Sequence, residues 1–150
     1  MTILVCPGIH PPILTQFFLT GLNQPRKLWV LPTDRYPPYC AYSVLQFLST
    51  IQNPTPGASS IHPSLILIAF SAGVVGAAAA ARVWQLRGGT VKALIALDGW
   101  GVPLSGNFPI YRVSHDAFTH WSSSLLGAGV GGFYADPPVA HLDLWRSPQT

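Results

Sequence analysis

The sequence predicts a three-layer α/β/α fold built on a mostly parallel sheet. Two observations carry this expectation. Short apolar runs alternate with helical segments along nearly the whole chain, and such alternation builds a parallel sheet with helices on both faces. The apolar runs also end, one after another, in polar or glycine-rich residues: Pro7-Gly8-Ile9-His10, Pro32-Thr33-Asp34, Ser71, Asp98, His115-Asp116, and Asp136 through His141. Ligands of open α/β sheets gather at the carboxyl ends of the strands, so these residues are expected at one edge.

Thr2 to Cys6 reads as a buried strand closed by Pro7-Gly8. Pro11-Pro12 opens a helix to about Leu22, proline being suited to a first turn. Lys27 to Leu31 is a second strand, ended by Pro32. Tyr39 to Gln52 has helical periodicity, with Tyr42, Leu45, Leu48 and Ile51 along one side. Asn53 to Pro63 is a loop rich in proline, glycine and serine. Leu65 to Phe70 is a fully buried strand, and the helix that begins at Ala72 is ended by Gly88-Gly89. Thr90 to Leu97 is the next strand, finishing at Asp98-Gly99. Trp100 to Phe108 is a loop, Pro109 to Ser114 a strand, Ala117 to Leu126 a short helix, and Phe133 to Ala135 a last short strand leading to His141. There is no internal repeat and no dividing linker.

The 150 residues suffice for one domain with one sizeable core. Hydrophobic residues make up 49% and charged residues 9%, so much of the chain must be buried. No apolar stretch approaches the roughly 18 residues of a membrane span, and the N-terminus lacks the basic region of a signal peptide. The net charge of +3 is scattered, with Arg26-Lys27 as its one adjacent basic pair, which excludes a nucleic-acid stripe. Cys6 and Cys40 are too few for a disulfide framework and read as buried free thiols in a reducing cytoplasm. Glutamate is absent, so any catalytic acid comes from Asp34, Asp98, Asp116, Asp136 or Asp143.

Ser71 is the most informative residue. It follows a buried strand at once and precedes a helix, with Ala69 two before it and Gly73 two after. Small residues at those positions permit a turn tight enough to push the hydroxyl out above the sheet, the pattern of a nucleophile elbow. The helix that follows offers free N–H groups to negative charge near that hydroxyl. A serine also serves as an ordinary helix cap, so the remaining strand ends carry part of the argument.

With the segment Leu65 to Gly76 and the chain order serine, aspartate, histidine, the chain resembles a compact, capless α/β-hydrolase, and the resemblance runs from the first strand to His141. It implies a serine hydrolase of the esterase, lipase or thioesterase kind. Ser71 matches the nucleophile and His141, after the last strand, the general base. The acid of the family usually ends the second strand after the elbow, where Asp116 stands. Asp98, one strand earlier, is the alternative acid, and His115 is the alternative base. The resemblance also implies an oxyanion site made by the N–H of Ala72 and by the loop carrying Ile9 and His10. It implies no cofactor. The chain ends at Ser147-Pro148-Gln149-Thr150, where the family has a final helix, so the single domain over 1–150 is expected to be either a minimal member or an incomplete one.

A metal is not expected: His115, Asp116 and His120 lack the i, i+4 histidine pair of a helical zinc site and an obvious fourth ligand. Cys6 lies inside a strand with no elbow after it, which argues against a nucleophile. Trp100, Trp121 and Trp145 are either pocket or core residues. The expected function is hydrolysis of a small apolar ester or thioester through an acyl-enzyme. The alternative is a non-catalytic binding or interaction protein on the same scaffold. A nucleotide-binding domain is disfavoured, because the first strand leads to neither G-x-G-x-x-G nor a P-loop lysine. The expected partner is a small-molecule ester, with no nucleic acid and no membrane span.

Overall fold

The computed structural model describes residues 1–22, 27–52, 62–127 and 129–147. The loop expected over 53–63 lies outside the described residues up to residue 61, as does Arg26. The elements are β1 (Thr2–Cys6), α1 (Pro12–Gly21), β2 (Leu28–Val30), α2 (Ala41–Gln52), β3 (Leu65–Phe70), α3 (Ala72–Leu86), β4 (Val91–Leu97), β5 (Ile110–Ser114), α4 (Ala117–Ser124), β6 (Gly131–Tyr134) and α5 (His141–Arg146). The six strands form one sheet in the order β2-β1-β3-β4-β5-β6, and every pairing is parallel.

The central strands β1, β3 and β4 alternate between two cores, one on each face of the sheet. Leu4 and Cys6, Leu65, Leu67 and Ala69, and Leu94 and Ala96 face one core with Val44 and Leu48 of α2 and Val74, Ala77, Ala80 and Trp84 of α3. Val5, Phe70 and Leu97 face the other with Phe18 of α1 and Trp145 of α5. Strands buried on both sides carry no polar alternation, which is why they read as continuous apolar runs. The small residues of α3 let it lie close on the sheet: a Cβ at Gly73 would run into the Cys6 carbonyl, and one at Gly76 into that of Pro38. Gly88, with φ 84°, ends α3 in the left-handed region, and the N–H of Gly89 returns to the Trp84 carbonyl at 3.0 Å.

Most boundaries shift by a residue or two from the sequence reading, and three of the changes have a visible cause. β6 begins two residues early, because its register with Tyr111 and Arg112 draws in Gly131 and Gly132, which have little strand propensity of their own. α4 stops at Ser124 rather than Leu126; the Leu126 carbonyl instead accepts from the Leu104 N–H at 3.0 Å, and the Arg112 guanidinium takes up carbonyls at the helix end. His141 opens a helix rather than sitting in a loop. α5 packs on α1, where the Trp145 indole stacks on Phe18 with ring centres 3.7 Å apart and its Nε1–H donates to Thr15 Oγ1 at 3.2 Å.

Candidate functional site

In strand order β1 is followed outward by β2 on one side and by β3 on the other, and a crevice at such a reversal, beyond the carboxyl ends, is where open α/β sheets bind ligands. Ser71 stands there, between β3 and α3, with φ 53° and ψ −120°. An L-residue takes a positive φ only at a cost of about 1–3 kcal/mol, and the surrounding structure must hold it there. Here the Ser71 N–H donates to the Leu97 carbonyl of β4 at 2.9 Å, and its own carbonyl accepts from Val74 at 3.0 Å. The hydroxyl makes no capping bond to α3. Gly8 comes so near that a Cβ there would sit 3.0 Å from the Phe70 carbonyl oxygen and 3.1 Å from Ser71 Cβ.

Asp98 is the second left-handed residue at this edge, with φ 49°. Its side chain is 1% exposed. A buried carboxylate must have its oxygens satisfied, and these are. Oδ1 accepts the His115 backbone N–H at 2.8 Å. Oδ2 accepts from His115 Nδ1 at 2.8 Å and from His141 Nδ1 at 2.6 Å. The His141 ring also lies on Phe70, the neighbour of Ser71, at 4.7 Å between centres, and Phe70 stacks in turn on Trp145 at 5.0 Å. Trp145, one turn beyond His141, is thus the anchor that seats α5.

Ser71, Asp98, Trp100, His115, Phe118, Thr119 and His141 line one cavity of about 350 Å³, within the usual range for small-molecule sites. The Trp100 indole is tied to α4 by its Nε1–H, which donates to Ser122 Oγ at 3.0 Å. Trp121 is exposed and Trp145 is core. The loop bearing Trp100 is shaped by Arg112, a residue the sequence reading passed over. Its guanidinium is buried on β5 and donates to the carbonyls of Gly127 and Val102 at 2.5 and 2.8 Å, and to those of Gly99 and Leu126 at 3.4 Å. Desolvation lowers its pKa from the ordinary arginine value. Strand alternation, which puts Arg112 on the same face as Ile110 and Ser114, was the available signal.

The carboxylate brought to His141 is therefore Asp98, whereas Asp116 was expected there. Asp116 is the N-cap of α4, where Oδ1 accepts the Thr119 N–H at 2.6 Å. That bond holds its carboxyl below the usual range, and the charge of His115 adds a smaller share. Its Oδ2 lies 3.3 Å from His115 Nε2. Both His115 nitrogens thus face carboxylate oxygens, while His141 Nε2 has no hydrogen bond among the described residues. Ala72 is the first residue of α3, so its N–H has no acceptor within the helix. Ile9 is exposed, and His10 lines a separate cavity of about 330 Å³ beside Pro12, Thr15 and Leu31. Neither lines the Ser71 cavity. Burial pushes the Cys6 thiol up to about 12, leaving it unreactive.

Asp98, His115 and His141 also offer ligand atoms within 4.8 Å of one another, a set that could hold a metal ion. His120, considered for such a role from sequence, packs instead on Tyr134. Both Nδ1 atoms of the set are directed at Asp98 as hydrogen-bond donors, so an ion would have to displace both protons. Among the described residues, no helix is long and apolar enough to cross a membrane. Comparison with protein-family models, curated proteins and solved structures finds no match. The class defined by fold and site is a three-layer α/β/α protein with an Asp–His–His cluster, built around the buried Asp98, opening on a cavity at the sheet edge.

Proposed function

We propose that the chain is a serine hydrolase that cleaves small apolar esters or thioesters through an acyl-enzyme. The observation that carries this reading is the convergence of Ser71, His141 and Asp98 on one cavity, with Ser71 in a strained turn at the head of a helix. Ser71 Oγ attacks the substrate carbonyl while His141 Nε2 takes its proton. Asp98 holds the proton on His141 Nδ1, which leaves Nε2 as the basic nitrogen, and stabilises the imidazolium that forms. His141 then returns the proton to the leaving alcohol or thiol. A water enters, loses a proton to the same nitrogen and releases the acid. The N–H of Ala72 is one donor for the tetrahedral oxyanion, and the close approach of Gly8 supports the segment after β1 as the source of a second.

Trp100 and Phe118 are the large apolar residues at the cavity, which supports neutral, apolar substrates over charged ones. Labelling with a fluorophosphonate probe tests the reading. The parent protein is expected to label and Ser71→Ala and His141→Ala to be silent. A folded parent that neither labels nor hydrolyses p-nitrophenyl acetate would favour a non-catalytic binding protein on the same scaffold.

A further inference from the structure

We infer that His115 is a positioning residue that clamps the Asp98 carboxylate, so that His141 is oriented by the chain Asp116–His115–Asp98 rather than by Asp98 alone. This rests on the hydrolase reading for the role of His141. One residue grips both carboxylate oxygens: the His115 backbone N–H holds Oδ1 and its ring Nδ1 holds Oδ2, each at 2.8 Å. Two donors on two oxygens fix the plane of the carboxylate. Without them, Asp98 would be held by the imidazole that it is meant to orient.

The clamp is itself anchored. His115 Nε2 faces Asp116 Oδ2 at 3.3 Å, and Asp116 Oδ1 is fixed to the first turn of α4 through Thr119. The pairing of β4 with β5, which sets Leu97 opposite Val113, brings residues 98 and 115 side by side at the sheet edge, and the Asp98 N–H donates to the Val113 carbonyl at 2.7 Å. Rigid placement therefore runs from α4 through Asp116 and His115 to Asp98, and reaches His141 last. The same contacts set His115 apart from His141: its Nδ1 bonds Asp98 and its Nε2 faces a carboxylate oxygen of Asp116 at 3.3 Å, whereas His141 Nε2 has no hydrogen bond among the described residues.

Two variants test the clamp. His115→Asn puts an amide N–H near the place of Nδ1, and His115→Phe keeps a ring without a donor. Both are compared with the parent for Tm, for kcat and KM on p-nitrophenyl acetate, and for the downfield proton resonance of His141 Nδ1–H, assigned by its loss in His141→Ala. His115→Phe is expected to lower kcat by about 10²-fold, the scale of a small misplacement at a reacting centre, with little change in KM. Its Nδ1 proton signal should move upfield or vanish. His115→Asn should restore most of the turnover and the signal. Parent-like kcat and an unmoved resonance in His115→Phe would overturn the clamp. So would equal loss in both variants in proportion to a fall in Tm. Complete loss of probe labelling in both variants would make His115 the base instead. If the parent does not label at Ser71, the hydrolase reading fails, and the His141 resonance alone decides whether His115 positions Asp98.

Discussion

Replacing Ser71 by glycine should make the protein more stable and inert at once. The backbone at Ser71 has φ 53° and ψ −120°, a conformation open to glycine at no steric cost. Relief of that strain contributes about 1–3 kcal/mol. Glycine also loosens the unfolded chain, which returns about 0.4–1 kcal/mol. The Ser71 hydroxyl makes no capping bond to α3, so its removal subtracts nothing from the helix. The net is a gain of about 1 kcal/mol, and in a chain of this size that raises Tm by about 2–4 °C. Ser71→Ala is the control, since alanine keeps the strain and should melt close to the parent. Thermal melts of the three proteins, with probe labelling alongside, read both effects. A Ser71→Gly protein that melts at or below the alanine variant would refute the reasoning, because the turn would then be unstrained.

Further expectations concern the surrounding groups. Asp98→Asn should lower turnover by about 10³–10⁴-fold, as the wrong imidazole tautomer is then favoured, whereas Asp116→Asn should lose much less; steady-state rates on one activated ester compare them. The Asp116 carboxyl lies below its unfolded value, so its capping contribution is complete above about pH 3.9 and drains away as pH falls through the lower folded value. Melting curves in that acid range should show this loss in the parent and its absence in Asp116→Asn. Arg112→Met leaves backbone carbonyls of the 99–104 and 126–127 segments without a donor and should destabilise the fold by about 2–4 kcal/mol, measured by urea unfolding. Dialysis against a chelator should leave esterase activity unchanged; a loss restored by a divalent ion would assign the Asp98, His115 and His141 cluster to a metal.

The middle of the sheet was legible because β1 and β3 are covered on both faces and read as apolar runs, and because each ends in residues that stop a strand. Ser71 stood out for the same reason: a small polar residue directly after six apolar ones. The choice between Asp98 and Asp116 was harder, since both stand at a strand end, Asp98 directly after Leu97 and Asp116 two residues after Ser114. What separates them is local. Asp116 stands three residues before Thr119 at a helix start, the spacing of an N-cap, and that duty draws one of its oxygens away. Strand alternation placed Arg112 on the face of Ile110 and Ser114, but its role stayed hidden, because its partners are backbone carbonyls and leave no pattern in the sequence. α5 has six residues, too few to show a helical period, and its position depends on the Trp145 stack against Phe18 and Phe70, a contact between distant parts of the chain.

That stack has a consequence for the order of events during synthesis. Ser71 and Asp98 leave the ribosome well before His141, and every strand of the sheet precedes α5 in the chain. A helix of six residues does not hold its shape unaided, so the His141 imidazole takes its place only when Trp145 docks between α1 and Phe70. On the hydrolase reading, completion of the fold and arming of the serine are then one event. The growing chain carries an unactivated hydroxyl, and a ribosome-bound fragment ending before His141 should stay silent to the probe that labels the released protein.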